Sequence, residues 1–199
     1  MKRSLGAITF ADPLPVWLIA TYDTNNKPNM MAAGAGAVCN TIPPCLLVSL
    51  REVTHTHKAI HERKAFTINI PGEDHWREAD YAGMVSGLDT DKFTDLGFTA
   101  VRSRLVDAPI IEECPVNIEC SLREHVKLSS HTMFIGEVMD VKVDESIFED
   151  GKPEVSRIKP IIFSPRWKWK SSGYYSLGAR IGDAYSQRKP PKDKAPTSV

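Results

Sequence analysis

The stretch from Asn29 to Lys58 constrains this chain more than any other. It opens with the small residues Ala32-Ala33-Gly34-Ala35-Gly36-Ala37, whose bare backbone lets a flat or charged ligand come close. A double proline, Pro43-Pro44, leads into Leu46-Leu47-Val48-Ser49-Leu50. That run is continuously apolar apart from Ser49, and it predicts a strand buried on both faces. Arg51 follows, and helical spacing begins at the cluster Thr54-His55-Thr56-His57. A helix that starts with hydroxyls beside Arg51 and Lys58 is a natural anion seat, because its first N–H groups have no acceptor within the helix.

The segments around this stretch are mostly β. Val16 to Tyr22 is a β-rich run, and Asp23-Thr24-Asn25-Asn26-Lys27-Pro28 has turn chemistry, which predicts a hairpin into residues 29–39. Ala65 to Ile70 reads as a strand stopped by Pro71-Gly72, and Val116 to Leu122 alternates with apolar residues at even positions. A long strand is expected over Thr132 to Val143, with Gly136 marking a bulge, and a short one over Ile161 to Phe163. Helices are expected over 56–64 and 75–84, with a further short helix closing Tyr174 to Tyr185. Residues 89–98 read as a polar stretch anchored by Phe93, Leu96 and Phe98. Short strands joined by hairpins, with few helices, point to a closed or nearly closed antiparallel barrel. There is no regular strand–helix alternation, no dinucleotide glycine fingerprint and no Walker A pattern, so Rossmann and nucleoside-triphosphate classes have no support.

Twenty-five acidic and twenty-five basic residues balance, leaving no global field for nucleic acid or an anionic membrane, so any bound anion must be held by local charge. The four cysteines show no CxxC spacing, and no signal peptide or long apolar run opens the chain, which predicts free thiols and a cytoplasmic setting. At 199 residues a single domain is expected over 1–186, followed by a disordered Pro/Lys-rich tail over 187–199.

A series of local strings, in order along the chain, resembles the flavin reductase-like, FMN-binding split-barrel family, and in particular its flavoredoxin subgroup. The strings are Pro15-Val16 with the Lys27-Pro28-Asn29 turn, Pro43-Pro44 with Val48-Ser49-Leu50-Arg51, and Lys64 to Ile70. Further along come Ala79-Asp80-Tyr81 with Val85-Ser86-Gly87 and Asp91-Lys92-Phe93, then His131 to Val138, then Tyr174 to Gly178. The resemblance covers roughly residues 3 to 189. It implies a mainly β fold, a Greek-key antiparallel split barrel with a few short helices. It also implies a homodimer that holds FMN without a covalent link, near the dimer interface. The activity implied is that of an oxidoreductase passing electrons from NADH or NADPH through FMN to free flavin or another acceptor. The alternative is a flavoredoxin-type carrier that exchanges electrons with a redox partner protein. Neither needs a catalytic acid, base or nucleophile from the protein, because the flavin carries the redox chemistry.

Thr54, His55, Thr56 and Lys58 are the candidate phosphate set, and ordinary N-capping by Thr54 or Thr56 is the competing reading. Ser49, Leu50 and Arg51 are candidates for the polar edge of the flavin ring, or a plain core strand with an exposed Arg. Asn29 and Ala32 to Ala35 would line the ring or its ribityl chain; the resembling proteins often carry an aromatic near the position of Ala35. Asn69, on the resembling strand, and Asp80, Tyr81, Ser86 and Lys92, on what reads as a loop, complete the flavin candidates with His131. His57 and His61 stand four apart, as zinc ligands can, but no HExxH pattern or third ligand accompanies them. Arg166 to Lys170 alternates basic and aromatic residues, which reads as a cover for the cofactor or the dimer seam rather than a nucleic-acid strip.

Overall fold

The computed structural model describes residues 1–165 and 171–185. The strip Arg166 to Lys170 and the tail from residue 187 lie outside them. The fold is mainly antiparallel β, built on one seven-stranded sheet. Its strands in spatial order are β3 (Pro28–Ala33), β2 (Trp17–Tyr22), β6 (Ala65–Ile70), β9 (Val116–Lys127), β10 (His131–Val143), β5 (Pro44–Arg51) and β4 (Gly36–Thr41). The β2–β3 hairpin forms as its turn chemistry requires. The Asp23 carboxylate accepts from the N–H groups of Asn25 and Lys27 at 2.8 and 2.9 Å, and Asn26 takes the left-handed conformation that asparagine tolerates.

The expected extension of that hairpin to residue 39 does not occur. The chain leaves β3 at Ala33, turns through Gly34-Ala35 and starts β4 on the opposite edge of the sheet. The two edges of the sheet are therefore two residues apart in the chain, and the sheet curls towards closure. Gly36 permits this turn because the Trp17 ring occupies the space of a side chain, 2.2 Å from where a Cβ would stand.

Two cores result. Inside the curl pack Ile19, Val48, Leu50, Ile60, Phe66, Ile68, Cys120 and Phe134. Outside β2 and β3, Leu18, Ala20 and Met30 pack against Ala79 and Ala82 from α2 (Trp76–Met84), Phe93 from α3 (Lys92–Leu96) and Phe98 just beyond it. The period-2 alternation of β2 thus sends Ile19 into one core and Leu18 and Ala20 into the other. β5 is not buried on both faces as its apolar run predicts: Leu46, Val48 and Leu50 face the core, while Leu47 and Ser49 stay half-buried on the outer face.

Helix α1 (His55–Arg63) follows β5, and Thr54 caps it. Gly136 marks a break in the β9–β10 register, as expected of a bulge. A Cβ there would lie 2.6 Å from the Phe66 ring, so the glycine makes room for the core. Short strands add β1 (Leu14–Pro15), β13 (Ile162–Ser164) and β14 (Gly173–Tyr175) as a second sheet. Two small pairs join β7 (Ala100–Arg102) to β8 (Pro109–Ile111) and β11 (Phe148–Glu149) to β12 (Lys152–Pro153), with α4 (Val155–Ile158) next in the chain. The closing helix expected over 174–185 is absent. Residues 174 and 175 belong to β14, and the segment after them includes Gly178 and Gly182 and is exposed throughout, so no buried face supports a helix.

Candidate functional site

A groove runs from the N-terminus of α1 along β3 to the β13–β14 sheet. Its first part, about 190 Å³, is lined by Met31, Thr54, His55, Thr56, the end of α2 from Ala82 to Met84, Val85-Ser86-Gly87 and Lys92. Its second part, about 250 Å³, is lined by Val16, Ala32, Ala33, Gly34, Asp80, Phe163, Ser172 and Tyr174. Gly83 and Met84 line both parts. On the other side of His55 a hollow of about 470 Å³ brings Lys27 and Lys58 to the same helix end.

The helix end is organised from below. Asn29, buried in β3, donates from Nδ2 to the Thr56 hydroxyl at 2.8 Å, and Thr56 is only 1 % exposed. Gly87 closes over this pair: a Cβ there would stand 2.0 Å from Asn29 Oδ1. Thr54 fills the capping role that was its competing reading, since its hydroxyl donates to the Arg51 carbonyl at 2.9 Å and accepts from the His57 N–H at 3.4 Å. The N–H groups of His55 and Thr56, at the start of the helix, have no acceptor within it. His55 Nε2 lies 3.8 Å from the Asp23 carboxylate, and exposed Lys58 lies 3.7 Å from Glu62.

Lys92 is not on a solvated loop. It opens α3, is 4 % exposed, and its ammonium donates to the carbonyls of Met30 at 2.9 Å and Ala82 at 2.7 Å. Burial lowers its pKa to about 8. Asp80 and Tyr81 likewise sit on α2 rather than on a loop. Asp80 accepts a 2.8 Å hydrogen bond from Tyr174, which pins that ring at the mouth of the groove, 5.4 Å between ring centroids from Phe163. Burial, and then this bond, push the Tyr174 phenol up. Tyr81 turns away and donates to Asp95 at 2.7 Å.

The structure thus gathers Ala32, Ala33, Gly34, Thr54, His55, Thr56, Asp80, Ser86 and Lys92 around one groove, with Lys58 beside it and Asn29 beneath it. Other sequence candidates stand elsewhere. Asn69 is fully buried and spent: it donates to Leu18 O and Thr67 Oγ1 and accepts from Ile111 N–H and Asn117 Nδ2. Leu50 points into the core, and exposed Arg51 pairs in register with His131, whose Nδ1 lies 2.8 Å from Ser130 Oγ. Ser49 and Ala35 meet through main chain, Ser49 N–H on Ala35 O at 2.9 Å, away from the groove lining. Met31, Met84, Phe163 and Tyr174 line the groove without having been singled out for it. Tyr174 figured in the sequence only at the start of the expected helix and within the resembling string Tyr174 to Gly178, and its contact with Asp80 spans 94 residues.

His57 Nε2 lies 2.8 Å from Thr132 Oγ1. Among the described residues no group of three His, Cys, Asp or Glu side chains could hold a metal ion. Nor is any of the described helices long and apolar enough to cross a membrane. What the groove offers is an anion seat at one end and bare backbone flanked by aromatic rings at the other. Such a shape takes an elongated ligand with a flat head and a charged tail.

The flavin reductase like domain model matches residues 11–166. Among solved structures, flavoredoxin of Desulfovibrio vulgaris (Miyazaki F) is 47 % identical, with 95 % of this chain and 100 % of that one covered and a TM-score of 0.88. Flavoredoxin from Methanosarcina acetivorans is 28 % identical, covering 94 % and 95 %, with a TM-score of 0.82. The reductase component of a Rhodococcus opacus 4-nitrophenol 4-monooxygenase/4-nitrocatechol 2-monooxygenase is 33 % identical over 106 residues, 53 % of each chain.

Proposed function

Because this chain belongs to the flavin reductase like domain family, we propose that its groove holds FMN and that the protein passes electrons from NADH or NADPH through it to free flavin or another acceptor. The observation that carries this reading is that the hollow at the α1 N-terminus and the one at the Phe163–Tyr174 pair share the wall formed by Gly83 and Met84. The residues present fit the group. Thr56, the N–H groups at the start of α1 and Lys58 suit a phosphate, while Ala32 to Gly34 and Gly83 leave backbone bare for a flat ring. When bound, FMN supplies the redox chemistry by accepting and releasing electrons. The chain's own part is to bind, orient and shield: Asn29 sets the Thr56 hydroxyl, and Asp80 holds the Tyr174 ring over the groove mouth.

The 47 % identity to a protein described as a flavoredoxin favours a second reading, in which the chain is an electron carrier between partner proteins. An anaerobic visible spectrum separates the two. Flavin bands that bleach on adding NADH or NADPH support the reductase, and bands that persist until a partner protein is added support the carrier. Absence of bands after reconstitution with FMN refutes both. Thr56→Ala combined with Lys58→Ala should weaken FMN binding by about 2 kcal/mol through lost charge-assisted hydrogen bonds. Unchanged affinity in a flavin titration removes the phosphate assignment.

A homodimer belongs to the same proposal. The apolar side chains of Val38, Ile42, Val126, Leu128 and Met139 are exposed on β4, on the turn after it and on the β9–β10 hairpin, as a face meeting a second copy would need. Sedimentation at a monomer's mass would refute it. A cytoplasmic setting is proposed from the cysteines, all four of which are free thiols.

A further inference from the structure

The other end of α1 carries a second polar cleft, which the flavin reading does not use. The β2–β3 turn, the last residue of α1, the last residue of β7 and the segment 103–107 leading to β8 surround about 680 Å³. Three arginines, Arg63, Arg102 and Arg104, line it against a single carboxylate, Asp107. In a chain whose formal net charge is zero, this is a local concentration of positive charge. Arg63 is fixed in place: its guanidinium donates to Asp107 at 3.0 Å, to Asn26 Oδ1 at 2.7 Å and to the Asp23 carbonyl. Arg102 lies 3.8 Å from the other oxygen of Asp107. One carboxylate is thus shared by two guanidinium groups, and Arg104 has no acidic partner among the described residues.

The lining holds one more unspent group. Ser103 is 7 % exposed, and its hydroxyl has no hydrogen-bond partner among the described residues. That hydroxyl is closed to solvent, so it takes no part in the cleft's contacts.

We propose that this cleft is a second anion site for a small molecule carrying a phosphate or pyrophosphate group. Arg102 and Arg104 are its donors, and Arg63 is its fixed cationic wall. Guanidinium groups present planar forks that match phosphate oxygens, and a concave wall suits a small group entering it. Arg63 stands at the other end of α1 from Thr54, a nine-residue helix roughly 13 Å long.

Isothermal titration of the full chain with sodium pyrophosphate at low ionic strength tests this, using the wild type, Arg102→Gln, Arg104→Gln and Lys58→Ala. The expected result is a saturable component whose Kd rises about tenfold or more in each arginine variant, is retained in Lys58→Ala, and weakens with added salt. Both arginine side chains project from the surface, so the urea midpoints of their variants should match the wild type. ADP binding more tightly than pyrophosphate would assign a nucleotide, and equal binding would assign the phosphate group alone; either supports the site. The inference is overturned if no component responds to the arginines. It is equally overturned if polyglutamate binds in an Arg104-dependent way while pyrophosphate does not.

Discussion

Adding one methyl group at Gly87 should loosen the helix end on which the proposed flavin phosphate rests. A Cβ at this position would stand 2.0 Å from Asn29 Oδ1 and 2.8 Å from its Cγ, closer than atoms can approach. Gly87 does not have the positive φ that only glycine adopts easily, so the effect is steric and not a backbone strain. Asn29 is the softer partner, and its rotation away breaks the Nδ2–Thr56 Oγ1 bond. Losing a buried hydrogen bond while one partner stays buried costs about 1–3 kcal/mol, and residual crowding adds to it, so Gly87→Ala should lower stability by about 2 kcal/mol. Asn29→Ala alone should cost about the same, since it leaves the Thr56 hydroxyl without its donor. In the Asn29→Ala background the methyl meets nothing closer than His55 Cδ2 at 3.2 Å, so Gly87→Ala should there be neutral within about 0.5 kcal/mol. The double-mutant cycle, read from urea midpoints, therefore predicts a coupling near the full cost of one substitution. Additive costs would show that Gly87 acts on something other than Asn29 and would refute the argument. A flavin titration on the same variants should weaken with Gly87→Ala and Asn29→Ala alike.

Lys92 should leave a signature in the pH dependence of stability. Its pKa is about 8 in the fold against 10.5 ordinarily, so the cost of burying the charge is present in full below pH 8 and is released as pH rises towards 10.5. Wild type should gain about 3 kcal/mol over that window relative to Lys92→Met, and parallel stability curves would refute the assignment. Of the four cysteines only Cys39 is exposed, while Cys45, Cys114 and Cys120 are buried, and burial pushes the Cys114 and Cys120 thiols up. A thiol reagent should therefore titrate one group in the native protein and four in denaturant; fast reaction of a second would contradict the core. Gly136→Ala should cost about 2 kcal/mol by driving a methyl into Phe66 and Cys120, and Phe66→Leu should recover part of it; an unchanged urea midpoint would mean the bulge absorbs the methyl.

Several elements were legible because their causes are local. The Asp23–Lys27 turn and the Thr54 cap each depend on residues within a few positions of one another, whereas the expected alternation of β9 gives way to burial on both faces, with Asn117 and Glu119 buried. The position of the open N–H groups at the start of α1 was legible for the same reason, since cap and helix start are contiguous. The groove they open into was legible only in part. Ala32 to Gly34 announced bare backbone, but nothing near them says that Phe163 and Tyr174 would be laid alongside. Asn69 is a misplaced candidate because it looks ligand-directed in sequence, yet the fold buries it and spends its hydrogen bonds internally, while Lys92, which looks solvated, lines the groove with its ammonium spent on two carbonyls.

By itself, then, the amino-acid order determined the mainly antiparallel β character, the β2–β3 hairpin and the capped start of α1, because period-2 patterning, turn residues and capping hydroxyls act over a few residues. Only the tertiary structure decided that the β3–β4 connection carries the chain to the far edge of the sheet, that Lys92 lies inside, and that Tyr174 closes the groove from 94 residues beyond Asp80. Those outcomes follow from which distant surfaces pack together, and packing is a property of the whole chain rather than of any stretch within it.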